Sequence, residues 1–146
     1  SKAQFSKMAE AMYLLEPALD ESAYNVAFTS AAARFRRRSL IVVFTELVET
    51  VVDEALIPAL AALTRTHLVV VACVRDPDVA DWANQSGHTA AADAYRSAAA
   101  VAAIEARERT IAKLRATGAL VVDARPGALA TDVIDRYLEL KTSGRL

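Results

Sequence analysis

The spacing of apolar residues along this chain switches repeatedly between a helical period and unbroken runs. Phe5, Met8, Ala9, Met12 and Leu15 recur at helical spacing ahead of Pro17, and "SAYNVAFTSAAARF" predicts a second helix with Ser22 as its N-cap. "SLIVVF", ending at Phe44, breaks the period: a continuous β-branched and apolar run predicts a parallel strand covered on both faces. Val52, Ala55, Leu56, Ala59, Leu60 and Leu63 return to helical spacing, and "HLVVVACV" repeats the buried-strand signal. The turn-like "RDPD" follows, with Pro77 at a first helical position, and the pattern breaks again near "NQSGH". From Thr89 to Thr117 the composition predicts one long helix, with Glu105 and Arg109 placed as an i,i+4 pair and Gly118 as its stop. "ALVVDA" predicts a third short strand and Pro126-Gly127 a turn. Leu129, Val133, Ile134, Tyr137, Leu138 and Lys141 describe a last amphipathic helix, with Tyr137 and Leu138 expected on its buried face.

Strands alternating with helices predict an α/β fold in three layers: a parallel β-sheet flanked by helices, right-handed crossovers, and any ligand near the carboxyl ends of the strands. With 146 residues, 54% of them hydrophobic, the chain fits one domain spanning residues 1–146. Lys and Arg number 17 and Asp and Glu 18, a net charge of -1 that gives no overall attraction to nucleic acid or anionic lipid. The run Arg34, Arg36, Arg37, Arg38 has only Phe35 interleaved and reads as the solvated end of a helix, so no nucleic-acid partner is expected. The lone cysteine, Cys73, cannot form an internal disulfide and reads as a buried small hydrophobe, which suits a reducing cytoplasm. No apolar run approaches the roughly 20 residues of a membrane span, so no membrane contact by this segment and a cytoplasmic location are expected.

Candidate chemistry gathers where the strands end: Thr45 and Glu46, Arg75 and Asp76, and Asp123 with Arg125. These residue types also cap helices and form turns, and Glu49 and Asp53 suit the start of the next helix through its dipole. Glu46 is the candidate metal ligand, but one carboxylate and the Thr45 hydroxyl are too few oxygens for a near-octahedral cation site. Thr45, Arg75, Asp76 and Asp123 are the candidate ligand-binding residues. Phosphate loops, GxSxG, HExxH and CxxC are absent, and His67 and His88 stand alone, so no catalytic residue and no cofactor are assigned.

"RRRSLIVVFTEL", "VRDPD", "DAYRSAAA" and "LRATGALVVDARPGALATDVIDRYLELKTSGRL" together resemble the C-terminal half of the bacterial family called domain of unknown function 58, most specifically in the closing "RYLELKTSGRL". The resemblance implies a partial von Willebrand factor A-like, Rossmann-like fold in which "SLIVVF" is the fourth strand. In such folds a metal-ion-dependent adhesion site uses an Asp-x-Ser-x-Ser segment, a Thr and an Asp. The first segment is missing here, and Thr45-Glu46 stands where the family shows Thr-Asp, making Glu46 a relic of a metal site. The resemblance further implies a non-catalytic protein-interaction module working with a MoxR-type AAA+ ATPase, in a longer parent anchored by upstream membrane segments. The alternative is a small-molecule or nucleotide-binding enzyme using the crevice near Glu46, Arg75 and Asp123. As a C-terminal half, the chain is expected to expose the flank of "SLIVVF". A homodimer would cover it, either with Leu40 to Phe44 paired antiparallel or with the N-terminal helices packed across the gap.

Overall fold

The computed structural model describes residues 2–16, 22–85 and 90–145. Helices α1 (Lys2–Tyr13) and α2 (Tyr24–Arg34) lead into strand β1 (Leu40–Phe44). Helix α3 (Glu49–Val51), a π turn (Val52–Leu56) and α4 (Ile57–Leu63) carry the chain to β2 (Leu68–Val74). Helix α5 (Pro77–Asn84) and the long α6 (Ala91–Ala116) lead to β3 (Leu120–Ala124), which α7 (Leu129–Thr142) follows. The strands form one parallel sheet in the order β1-β2-β3, with Leu40 opposite Leu68 and Val70 opposite Leu120. Helices flank it on both faces, an α/β arrangement in three layers.

Alternation along the strands explains the layers, because successive side chains leave a strand on opposite faces. Val43, Val69, Val71, Cys73 and Val121 meet Phe28 of α2, Val52, Leu56, Leu60 and Leu63 before β2, and Ile111 and Leu114 of α6. Leu68, Val70, Ala72, Val122 and Ala124 meet Leu140, Leu129 and Val133 of α7. One face is therefore thickly covered and the other thinly. The π turn sits just before Pro58, which has no N–H and whose ring crowds the carbonyl one turn back; the Ile57 N–H reaches Val52 O instead. The break after α6 is set by Gly118 at φ +89, a backbone conformation side chains resist, and Gly127 at φ +80 does the same for the turn into α7.

Several expectations need correction. β1 is parallel but not covered on both faces: only Val43 is buried, Leu40, Ile41 and Val42 are half-buried and Phe44 is exposed, because β1 lies at the sheet's edge and α7 sits over β2 and β3. The N-cap position of α2 is Ala23 rather than Ser22, with no side-chain cap bond. Tyr137 and Leu138 are 40% and 48% exposed, since the stripe of α7 that meets the sheet is Leu129, Val133 and Leu140. α6 begins at Ala91; Thr89, like Pro17 and His88, lies outside the described residues. The Asp76 cap with Pro77 at the first turn of α5, the stop at Gly118 and the Glu105–Arg109 pair are as expected.

Candidate functional site

At the carboxyl ends of the strands, the centre of the polar cluster is Asp123 in β3. Its Oδ1 accepts from Arg107 Nε at 3.2 Å and from Arg107 Nη2 at 2.7 Å, and Arg107 Nη2 also donates to Val74 O at 3.1 Å. Arg75 adds a second guanidinium: its Nη2 donates to Asp123 O at 3.1 Å and its Nε lies 4.0 Å from Oδ2. Arg107 and Asp123 are each about three-quarters shielded from solvent, so this ion pair is screened less than a surface pair. It ties α6 to the ends of β2 and β3.

The neighbouring candidates are similarly engaged. Asp76 accepts from Asp78 N at 2.9 Å, capping α5. Thr45 Oγ1 lies 2.8 Å from the Tyr24 hydroxyl and donates to Glu46 O at 3.2 Å, so α2 pins the end of β1. Cys73 is buried beneath the cluster, its Sγ 3.5 Å from Val122 O and 3.7 Å from Asp123 Oδ1. Burial, which outweighs the nearby Arg107 charge, pushes its thiol up to about 11, so it is a neutral thiol near pH 7 rather than a nucleophile. Glu46 is exposed and its carboxylate has no hydrogen bond or ion pair among the described residues. Arg125 is exposed and does not join the cluster.

Two clefts border this end of the sheet. One, of about 600 Å³, is lined by Phe44, Thr45, Glu46, Val48, Asp76 and Arg107 among others. The second, of about 420 Å³, lies between α5 and α6 with Val79, Ala103, Ile104 and Ile111 as its apolar wall and Arg75, Arg107 and Asp123 at its rim. The structure thus brings Arg75 and Asp123 together and places Thr45, Glu46 and Asp76 around the other opening. Among the described residues no three His, Cys, Asp or Glu side chains converge as a metal-binding group. The Thr45 hydroxyl, the oxygen expected beside Glu46, is bonded to Tyr24 and to Glu46 O, and one carboxylate with one hydroxyl is too small a set for an adhesion-type cation site.

Arg107 is the residue the sequence reading missed. It stood in plain view on the stripe Ala100, Ile104, Arg107, Ile111, Leu114, a single charge at helical spacing among apolar positions. Glu49 and Asp53 stand at the starts of α3 and the π turn, as expected, and they also grip Lys113 of α6, at 3.3 and 2.6 Å, the bonds to Asp53 first and Glu49 second raising the Lys113 pKa. His67 is buried, its Nδ1 accepting from Ser39 N–H at 3.3 Å, a bridge from the start of β2 to the start of β1. Set against protein-family models, curated proteins and solved structures, the chain matches none of them.

Proposed function

We propose that this chain is a non-catalytic protein-interaction module, the C-terminal half of a von Willebrand factor A-like protein of the domain of unknown function 58 family, with a MoxR-type AAA+ ATPase as its partner. The observation that carries the reading is how the polar groups at the strand ends are spent. Asp123 is held by two guanidiniums, Asp76 by a helix cap, Thr45 by Tyr24, and Cys73 is a buried neutral thiol, which leaves the exposed Glu46 carboxylate with no nucleophile or second free acid beside it in the cluster among the described residues. Apolar surface is meanwhile left bare: Ile134, Tyr137 and Leu138 form an exposed flank on α7, and Val48, Val51 and Val74 are exposed at the strand ends. Such groups, rimmed by charge, suit docking against another protein better than chemistry. The parallel order β1-β2-β3, with its edge at β1, is also what the later half of a doubly wound sheet would present.

Capture of purified MoxR-type ATPase on the immobilised chain tests the reading. Leu138→Glu combined with Ile134→Glu is expected to abolish capture with the melting temperature unchanged, since both side chains are exposed; undiminished capture, or none by the native chain, overturns the α7 surface as the docking site. The second cleft favours a runner-up, a small-molecule or nucleotide-binding enzyme. Its apolar wall has the size of a small-molecule pocket, with Arg75 and Arg107 set among Glu49, Asp76, Glu108 and Asp123 as its polar lining. Calorimetric titration with nucleotides distinguishes the two: micromolar binding lost in Arg75→Ala would establish the pocket.

A further inference from the structure

β1 has a strand partner on one side only among the described residues. Thr45 N–H donates to Ala72 O, and Ser39 O accepts from Leu68 N–H, so the odd-numbered residues of this segment turn their backbone groups toward β2. In a parallel ladder the alternate residues turn theirs away, which leaves Leu40, Val42 and Phe44 presenting N–H and C=O at the open edge. The strand has no Pro and no charge to blunt that edge. The opposite edge differs: β3 carries Asp123, and Asp132, Asp135 and Glu139 of α7 border it. A helix laid on β1 would cover its side chains without answering its alternating donors and acceptors. A strand paired along the edge answers them and sets its own side chains beside those of β1.

The charges beside β1 say which strand. Arg36, Arg37 and Arg38 precede it and Glu46 follows it; all four are exposed and without an ion pair among the described residues. Two copies meeting in parallel would set arginines against arginines. Meeting antiparallel, with a two-fold axis at Val42, they set Arg38 of each copy against Glu46 of the other and Leu40 against Phe44. This register pairs all five residues of the strand. It also makes 42 with 42, and 40 with 44, the hydrogen-bonded pairs, matching the residues whose backbone groups point outward. Phe44, 65% exposed in the single chain, gains an apolar neighbour.

We propose that the chain self-associates through β1, antiparallel about a two-fold axis at Val42, into a continuous six-stranded sheet with Arg38–Glu46 pairs at each end of the junction. The inference goes beyond the ATPase reading and concerns the 146-residue chain by itself, because the preceding strand that the half-domain reading implies would take the same edge; it uses a different surface from the α7 flank, so capture and self-association are tested separately. A five-residue junction is small beside the roughly 1,200 Å² of a stable interface, so association is weak, in the micromolar range, and sensitive to salt.

Sedimentation of the whole chain from one to several hundred micromolar is expected to show a mass rising from 15.7 kDa toward twice that value. Arg38→Glu or Glu46→Arg alone should weaken the dimer by at least about tenfold by setting like charges together, and the two combined should restore it. Val42→Cys supplies a geometric test: Cα atoms of a hydrogen-bonded antiparallel pair lie about 5.5 Å apart, within disulfide reach, so mild oxidation should link two copies. Leu40→Cys lies roughly 14 Å from its own copy in this register and should not link, while the native Cys73 is buried. A monomer throughout the range overturns the proposal. So does a dimer in which the charge exchange fails to restore affinity, or one in which Leu40→Cys links as readily as Val42→Cys.

Discussion

Arg107 shows how one side chain decides what the strand ends can do. Its fork occupies an oxygen of Asp123 and the carbonyl of Val74 at once, and a lysine, with one compact charge, cannot reproduce that geometry. Arg107→Met keeps the stem's packing but leaves a largely shielded carboxylate with only the more exposed Arg75 beside it, so a loss of about 1 to 3 kcal/mol in urea denaturation is expected. Arg107→Met with Asp123→Asn should cost clearly less than the sum of the single changes. Additive costs would mean the pair is held by packing and carries no energy of its own. Asp123 was legible in the sequence as a charge at a strand end; its partner was not, because contacts between α6 and β3 depend on how the long helix lies across the sheet.

Element identity was more legible than element environment. Periods of two kinds marked β1, β2, β3 and the helices between them, and the caps at Asp76 and Gly118 followed from local chemistry that needs no tertiary information. What a period cannot say is how much of an apolar arc is used. On α7 the arc runs from Leu129 and Val133 round to Ile134 and Leu138, yet the helix rests on the sheet through Leu129, Val133 and Leu140, and Ile134 and Leu138 fall to the side. Leu140→Ala should therefore cost about 2 to 5 kcal/mol, the range for a buried leucine, while Leu138→Ala should stay within about 0.5 kcal/mol. Equal costs in thermal or urea unfolding would mean that α7 is rotated from this placement. The same limit explains β1: its sequence is as apolar as that of a central strand, but its position leaves it half-covered.

At the scale of the whole molecule the sheet is closed at its centre and open at one side. β2 is buried at six of its seven residues and bonded on both edges, so its amides should be the slowest to exchange with solvent, opening only with global unfolding. β1 should split by parity. Ile41 and Val43 direct their N–H groups to β2 and should be protected, while Leu40, Val42 and Phe44 direct theirs to the open edge and should exchange quickly in dilute solution. Raising the concentration into the range where two copies pair should slow those three amides and leave Ile41 and Val43 little changed, because pairing answers only the outward groups. Hydrogen exchange resolved to single amides reads both effects at once. If Leu40, Val42 and Phe44 were slow even in dilute solution, another segment of the same chain would be covering the edge, and no second copy would be needed. If they stayed fast at every concentration, the edge would remain bare, and the charges that flank it would serve to keep strands apart rather than to join them.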